Sequence, residues 1–549
     1  MSDTPTAASQ TESGFSHTGG ATPILDVDAL ALSIHGKPIL NGISLSLSAG
    51  EITALTGESG SGKSMTALAA MGLLPDNAKA TGRITFQGRN LLDLREKELT
   101  KIRGQQIGMI FQEPMTALNP LQTIGAQVSE TLRIHRYAGD IAEKTRATLA
   151  KVGLDLPLSR YPHELSGGQR QRVAIAMAIV LRPALLIADE PTTALDVTTQ
   201  AQILDLLKTL VKSEGMALMM ITHDLAVVAE MADHIAVMQN GAIVEQAPTA
   251  QLFKQMNHPY TRQLFEASKH KADLPEPAPG EPLLQVTNVT RDYPLPRSRP
   301  FAKRIHVRAV DDVSFDIRTG ERVGLVGESG CGKSTLTRAI LGLEKTQGGA
   351  ITLNGAPVFS HGKPNPEIQR QMQVVFQDPY GSFNPRHRVS RLVTEPFHLL
   401  DVPPTGYERD KAIADALTAV GLTPDDQHRH IHAFSGGQRQ RIAIARALII
   451  RPKLIVFDEA VSALDVRVRA TILDLMATLS RQYRLAYLFI SHDLSVVRSI
   501  TDRVLVMRQG RIVEEGPTQK VFDAPEHPYT QTLLAAAPRL PDIGDVHAA

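Results

Sequence analysis

Short apolar runs alternate along the chain with longer stretches of helical periodicity. Ile52–Leu55, Leu185–Ala188 and Leu218–Ile221 are such runs in the first half, and Val323–Val326, Leu454–Phe457 and Tyr487–Ile490 in the second. Their alternation with helical patterns predicts α/β layers around a largely parallel sheet. The stretches Ala126–Val152 and Ile413–Val420 read as helical, which suggests a helical subdomain inserted into each half.

The pattern also repeats. Lys63 and Lys333 stand 270 positions apart, and Gln112 and Gln377 stand 265 apart. Ser166 and Ser435, Glu190 and Glu459, His223 and His492, and His258 and His527 are each 269 apart. Landmarks recurring in one order mark a duplication. Between the halves, Lys269–Pro282 carries prolines at 275, 277, 279 and 282 and reads as a stiff linker, neither helix nor central strand. The predicted division is a tail over 1–23, a first domain over 24–268, the linker over 269–282, a second domain over 283–540 and a tail over 541–549.

Composition narrows the function classes. At 549 residues the chain is too long for one ordinary core. With 58 basic and 57 acidic residues, its balance gives no support for nucleic-acid binding. The single cysteine, Cys331, can form no internal disulfide, and no cysteine cluster is present for zinc or an iron–sulfur centre. The first twenty or so residues lack a secretory signal and read as a disordered tail. No run approaches the ~18 apolar residues of a membrane helix, so a membrane role requires a partner.

Two segments fit the phosphate-loop pattern of glycines ending in Gly-Lys-Ser. One is Gly57, Glu58, Ser59, Gly60, Ser61, Gly62, Lys63 and Ser64; the other is Gly327, Glu328, Ser329, Gly330, Cys331, Gly332, Lys333 and Ser334. Each follows an apolar strand and opens a helical stretch, as the pattern requires. The glycines turn backbone N–H groups inward, the helix directs its positive end at the phosphates, the lysine pairs with β/γ oxygens and the serine hydroxyl suits Mg²⁺. Two further strands end in paired acids, Asp189-Glu190 and Asp458-Glu459. Unpaired burial of charge is costly, so such acids need a use. Asp189 and Asp458 are placed to hold Mg²⁺, and Glu190 and Glu459 to polarise an attacking water.

With these motifs, Leu165-Ser166-Gly167-Gly168-Gln169 and Phe434-Ser435-Gly436-Gly437-Gln438 resemble the signature of the ABC ATPase family. The resemblance spans nearly the whole chain apart from the first tail and the linker. It implies two tandem P-loop NTPase domains, each with a RecA-like α/β core, an antiparallel β subdomain and an inserted helical subdomain. It implies that ATP is hydrolysed with Mg²⁺ held by Ser64, Gln112 and Asp189, or by Ser334, Gln377 and Asp458. It also implies that each signature completes the opposite site: Lys63, Glu190 and His223 with Ser435–Gln438, and Lys333, Glu459 and His492 with Ser166–Gln169. By the same resemblance Met65 and Thr335 close the phosphate loops, Asp196 and Asp465 lie in loops bridging the halves, and His223 and His492 sense the γ-phosphate. Adenine is expected on Tyr293 in the second half, where the first half offers only His35. Ala460 replaces the usual proline after the glutamate, and Phe434 replaces the signature leucine; neither change removes a catalytic group.

Phe111–Pro120 and Phe376–Pro385, with His258-Pro-Tyr-Thr261 and His527-Pro-Tyr-Thr530, resemble ATPase subunits of peptide and nickel importers. The first half is D-like and the second F-like, as in fused importers of oligopeptides, microcin C or glutathione. The HPYT segments read as turns that cap each domain. The resemblance implies a peripheral ATPase on the cytoplasmic face of a bacterial inner membrane, with two permease subunits, a solute-binding protein and no iron–sulfur cluster. The alternative is a soluble tandem ABC ATPase acting on ribosomes, a class that carries a long charged helical linker, unlike the short proline-rich one here.

Overall fold

A computed structural model of the protein describes residues 22–112, 117–193, 195–277, 280–295, 304, 306–378, 381–462 and 464–541. The expected disordered N-terminal tail falls outside them apart from Thr22 and Pro23, as does all but Pro541 of the second tail.

Each half carries two sheets. In the first, β1 (Leu25–Ile34), β2 (Lys37–Leu47), β4 (Ala78–Phe86) and β5 (Arg89–Asn90) form an antiparallel sheet in the order β2-β1-β4-β5. The core sheet runs β10-β9-β3-β8-β7-β6, from β3 (Ile52–Thr56), β6 (Ile107–Ile110), β7 (Leu185–Asp189), β8 (Ala217–Ile221), β9 (His234–Gln239) and β10 (Ala242–Pro248). Only its β9–β10 pair is antiparallel. The second half repeats both. β11 (Pro282–Pro294), β12 (His306–Arg318), β14 (Gly348–Leu353) and β15 (Ala356–Pro357) are ordered β12-β11-β14-β15. The core sheet is β18-β19-β20-β13-β21-β22, from β13 (Arg322–Val326), β18 (Met372–Val375), β19 (Leu454–Asp458), β20 (Ala486–Ile490), β21 (Arg503–Arg508) and β22 (Arg511–Pro517). Among the described residues, a small hairpin of β16 (Phe359–Ser360) with β17 (Lys363–Pro364) is found only in this half.

The six apolar runs of the sequence are central parallel strands, each extended by one residue. Every residue of β3, β7 and β8 is buried. Neighbours along a strand enter opposite layers: Ala54 and Leu186 pack into one cluster, Leu55 and Ile187 into the other. Each fully buried Leu or Ile contributes about 1.5–3 kcal/mol to these layers. Between β6 and β7 lie the helices Ile124–Ile134, Ile141–Lys151 and Gly167–Ile179, and the second half inserts Gly406–Ala419 before Gly436–Leu448. No helix among the described residues is long and apolar enough to cross a membrane.

The halves touch through their C-terminal helices. Pro259–Ser268 packs on Val466–Tyr483 of the second half, and Pro528–Ala535 approaches Val197–Glu214 of the first. The linker runs along the second half, with Ala272 and Leu274 against its core. His270 pairs with Asp474 at 2.7 Å and Asp273 with Arg481 at 2.9 Å. Arg322, 1% exposed, donates to both Asp502 carboxylate oxygens and to the Pro275 carbonyl at 2.5 Å. In the first half Ile52 opens the corresponding strand, and its N–H alone reaches Asp233.

Candidate nucleotide sites

The carboxyl ends of the central strands converge at one edge of each core sheet, where parallel α/β sheets place their ligands. β3 leads into the first phosphate loop, where Gly57, Gly60 and Gly62 have φ of 146°, 79° and 105°. A Cβ at Gly57 would lie 2.2 Å from the Met238 carbonyl oxygen, so only glycine fits. Gly327 repeats this against the Met507 carbonyl, also at 2.2 Å. Helices start at Lys63 and Lys333. The Lys63 ammonium is buried and donates to the Gly57 and Glu58 carbonyls, both at 2.8 Å. Lys333 donates to the Gly327 and Glu328 carbonyls at 2.6 and 2.9 Å. Burial pulls the Lys63 pKa below its ordinary value, against Glu190, Asp189, Asp465 and Glu58, whose charges oppose the shift.

Asp189 ends β7 and accepts a hydrogen bond from the Ser64 hydroxyl; burial raises its pKa. Its Oδ1 is buried without a partner. An orphaned carboxylate oxygen beside a serine hydroxyl fits the hard oxygen donors that Mg²⁺ selects. Among the described residues no group of three His, Cys, Asp or Glu could hold a metal alone, so Mg²⁺ here would draw its other ligands from nucleotide and water. Burial and the charge of Glu459 raise Asp458 in the same way.

Glu190 and Glu459 have φ of 48° and 50°, a region non-glycine residues seldom occupy. Each is pinned by its N–H, to Ile221 O or Ile490 O at 2.9 Å. Burial would raise the Glu190 carboxyl, but hydrogen bonds from His223 and Thr193 and the charge of Lys63 bring its pKa down to about 2. His223 Nδ1 lies 3.1 Å from Oε1, while Thr193 Oγ1 and Gln112 Nε2 donate to Oε2 at 2.8 and 3.1 Å. The second site is looser. His492 Nδ1 is 3.4 Å from Glu459, Ser462 stands in place of Thr193, and Gln377 reaches Ser462 at 3.5 Å. Burial acts against both charges there too, yet Glu459 remains lowered and His492 raised by their mutual pairing.

Each signature caps its own helix. The Ser166 Oγ accepts from Gln169 N at 3.3 Å and the Gln169 side chain accepts from Ser166 N at 3.0 Å; Ser435 and Gln438 do the same at 3.4 and 3.0 Å. Behind them, a Cβ on Gly168 would meet Thr199 Cγ2 at 2.3 Å, and one on Gly437 would meet Val468 Cγ1 at 2.4 Å. Gly167 and Gly436 have room.

The bridging loops make further contacts across the halves. The Asp196 carboxylate caps its helix through Thr199 N and also accepts from the Ser329 N–H of the second phosphate loop. Next to it, Thr198 Oγ1 donates to Glu328 Oε1 at 3.0 Å. In the mirror position Arg467 pairs with Glu58 at 2.9 Å. Motif reading did not single out Thr198 and Arg467; the signal was their matching place two residues after the bridging aspartates.

Tyr293 lies on β11 with Arg291 stacked 4.8 Å over its ring and its hydroxyl donating to Glu344. His35 is exposed at the turn joining β1 to β2, with φ 50°. Strand register pairs Leu25 with Phe86 and Leu284 with Leu353, which makes Ile34, not His35, the counterpart of Tyr293. Met65 and Thr335 occupy the first helical turns after the lysines. Cys331 is buried, and burial pushes its thiol up. Phe434 is buried under Arg429, and Ala460 is buried in the place of Pro191.

The model of the ABC transporter family matches residues 40–193 and again 310–462. The chain belongs to the ABC transporter family. It is an ATP-hydrolysing ABC protein with two ATPase domains in one chain. Residues 244–285 and 513–547, which hold the HPYT segments, match the oligopeptide/dipeptide transporter C-terminal region. Among curated proteins, the ABC ATPase is 45% identical over 532 residues to the peptidoglycan transport ATP-binding protein YejF of Agrobacterium fabrum, covering 94% of this chain and 96% of that one. It is 46% identical over 539 residues to the glutathione import ATP-binding protein GsiA of Escherichia coli K12, covering 90% of this chain and 86% of that one.

Proposed function

We propose that the chain drives import of peptides or peptide-like solutes through separate membrane subunits, with hydrolysis at two composite sites. The observation that carries this reading is the crossing of the bridging loops, which sets Thr198 and Arg467 of each half against the phosphate-loop glutamate of the other. When ATP enters, Lys63 and Lys333 exchange their loop carbonyls for phosphate oxygens. Ionised Glu190 and Glu459, oriented by His223 and His492, accept a hydrogen bond from the attacking water and take up its proton. Ser166–Gln169 and Ser435–Gln438 present helix N-termini to the γ-phosphate of the opposite site. Mg²⁺, held through Ser64 and Asp189 or Ser334 and Asp458 with Gln112 or Gln377, would neutralise developing phosphate charge. Phosphate release removes the bridge, and the halves part.

Gln112 and Gln377 are exposed beside Phe111 and Phe376, and Leu121 nearby is 86% exposed. Exposed apolar residues beside the glutamine of each half support docking of two permease subunits at the cytoplasmic face of the inner membrane, with a solute-binding protein beyond it. The names of the relatives and the match of both C-terminal regions support peptide-like cargo. Replacing Glu190 and Glu459 together by Gln is expected to preserve ATP binding and to abolish steady-state hydrolysis. Undiminished turnover in that variant would remove both glutamates from the mechanism.

A further inference from the structure

The HPYT segments do more than cap a helix. The cap itself is present: His258 Nδ1 accepts from Tyr260 N at 3.2 Å, and His527 Nδ1 from Tyr529 N at 3.1 Å. The tyrosine rings then enter the core, 3% and 4% exposed, and carry their hydroxyls to the phosphate loops. Tyr260 OH accepts from Glu58 N at 3.1 Å, across 202 residues of sequence. Tyr529 OH accepts from Glu328 N at 3.0 Å, across 201.

The amide involved is the informative part. Gly57 C=O and Glu58 N–H belong to one peptide unit. Its carbonyl holds Lys63 at 2.8 Å, and its N–H points the other way, into Tyr260. The second half repeats this with Gly327 C=O on Lys333 at 2.6 Å and Glu328 N–H on Tyr529. A peptide plane beside a glycine rotates readily, because no Cβ opposes it. A half-buried N–H that loses solvent on folding gains from a fixed acceptor, so the hydroxyl selects one orientation of that plane.

We infer that Tyr260 and Tyr529 are positioning residues for nucleotide binding, each locking the peptide plane that aims the phosphate-loop lysine. The inference rests on the reading of these loops as ATP sites. It also gives the helix Pro259–Ser268 a second task. That helix packs on Val466–Tyr483 of the other half, and its Leu264 lines one small cavity with Gly57, Glu58, His223, Asp465 and Val466. Phosphate loop, switch histidine, bridging loop and C-terminal segment therefore meet at one point, so the tyrosine ties loop geometry to the apposition of the halves.

Photolabelling of the full chain with 8-azido-ATP at sub-saturating concentration, mapped to each half by proteolysis, tests this. Tyr260→Phe removes one oxygen and leaves the ring. Label in the first half should fall by about tenfold, the size expected when a half-buried amide loses its acceptor, with label in the second half unchanged. Tyr529→Phe should produce the mirror pattern, and it tests the same claim should the first variant fail to fold. Saturating ATP should restore turnover, so KM rises and kcat holds. Unchanged labelling of the matching half, whatever happens to the unfolding midpoint, would show a merely structural hydroxyl and overturn the inference. Lys63→Ala separates the two claims. If it abolishes first-half label while Tyr260→Phe does not weaken it, only the tyrosine role fails. If Lys63→Ala leaves the label intact, the site reading fails and the tyrosine role with it.

Discussion

Glu190 is the residue on which burial, strain and charge act together. Its carboxyl is held near a pKa of about 2, against an ordinary 4.5. A depressed acid stabilises the fold above its unfolded value and loses that contribution as pH falls through the folded one; here that is worth about 3 kcal/mol. Denaturant unfolding of wild type and Glu190→Gln should therefore differ fully at pH 6, with the gap closing between pH 4.5 and about 2. A gap that does not vary with pH would mean the carboxylate is not held this way. His492 runs in the opposite sense. Glu459 raises it above its ordinary 6.5, so the pair stabilises below 6.5 and the contribution is lost as pH rises through the raised value. An NMR titration should place the His492 midpoint above 6.5 and lower it in Glu459→Gln. These residues were legible in the sequence because each ends an apolar strand in both halves. The adenine platform was not. The halves are offset by 270 residues around the phosphate loops but by 259 between β1 and β11; His35 stood out only as the first half's one candidate near that strand, and strand pairing sets Ile34 in the place of Tyr293.

At the scale of elements, each signature and its bridging loop behave as one unit. Gly437 lets the signature helix press on Val468, the residue after Arg467, which faces the other half. Gly437→Ala would put a Cβ 2.4 Å from Val468 Cγ1. Overpacking of this kind costs about 1–3 kcal/mol, and Val468→Ala should restore most of the loss. Thermal unfolding of the single and double variants checks it; equal midpoints in both would contradict the contact. Alternation of apolar runs was enough to place six central strands, since a parallel sheet buried on both faces leaves few polar positions to confuse the pattern. The contacts of Tyr260 and Thr198 were not legible, because they join residues 202 and 130 positions apart through packing that no local pattern encodes.

The whole molecule is a duplicated motor whose linker is part of the second domain's surface. Arg322 anchors it, buried between Asp502 and the Pro275 carbonyl. Arg322→Ile copies the first half's residue, takes the guanidinium from Asp502 and leaves that carboxylate only the backbone N–H of residue 322, which should cost up to about 3–5 kcal/mol and expose the linker to protease. Unaltered cleavage within 269–282 would show that the anchor does not hold the chain. The central claim, that each ATP site is shared between halves, has a direct geometrical test. In a Cys331→Ser background carrying Glu190→Gln and Glu459→Gln, cysteines are placed at Ser59 and Ser435, or at Ser59 and Ser166. With ATP present and mild oxidation, a disulfide is expected between positions 59 and 435, seen as two fragments held together after cleavage in the linker. A disulfide between 59 and 166 instead would place both parts of the site in one half and contradict it.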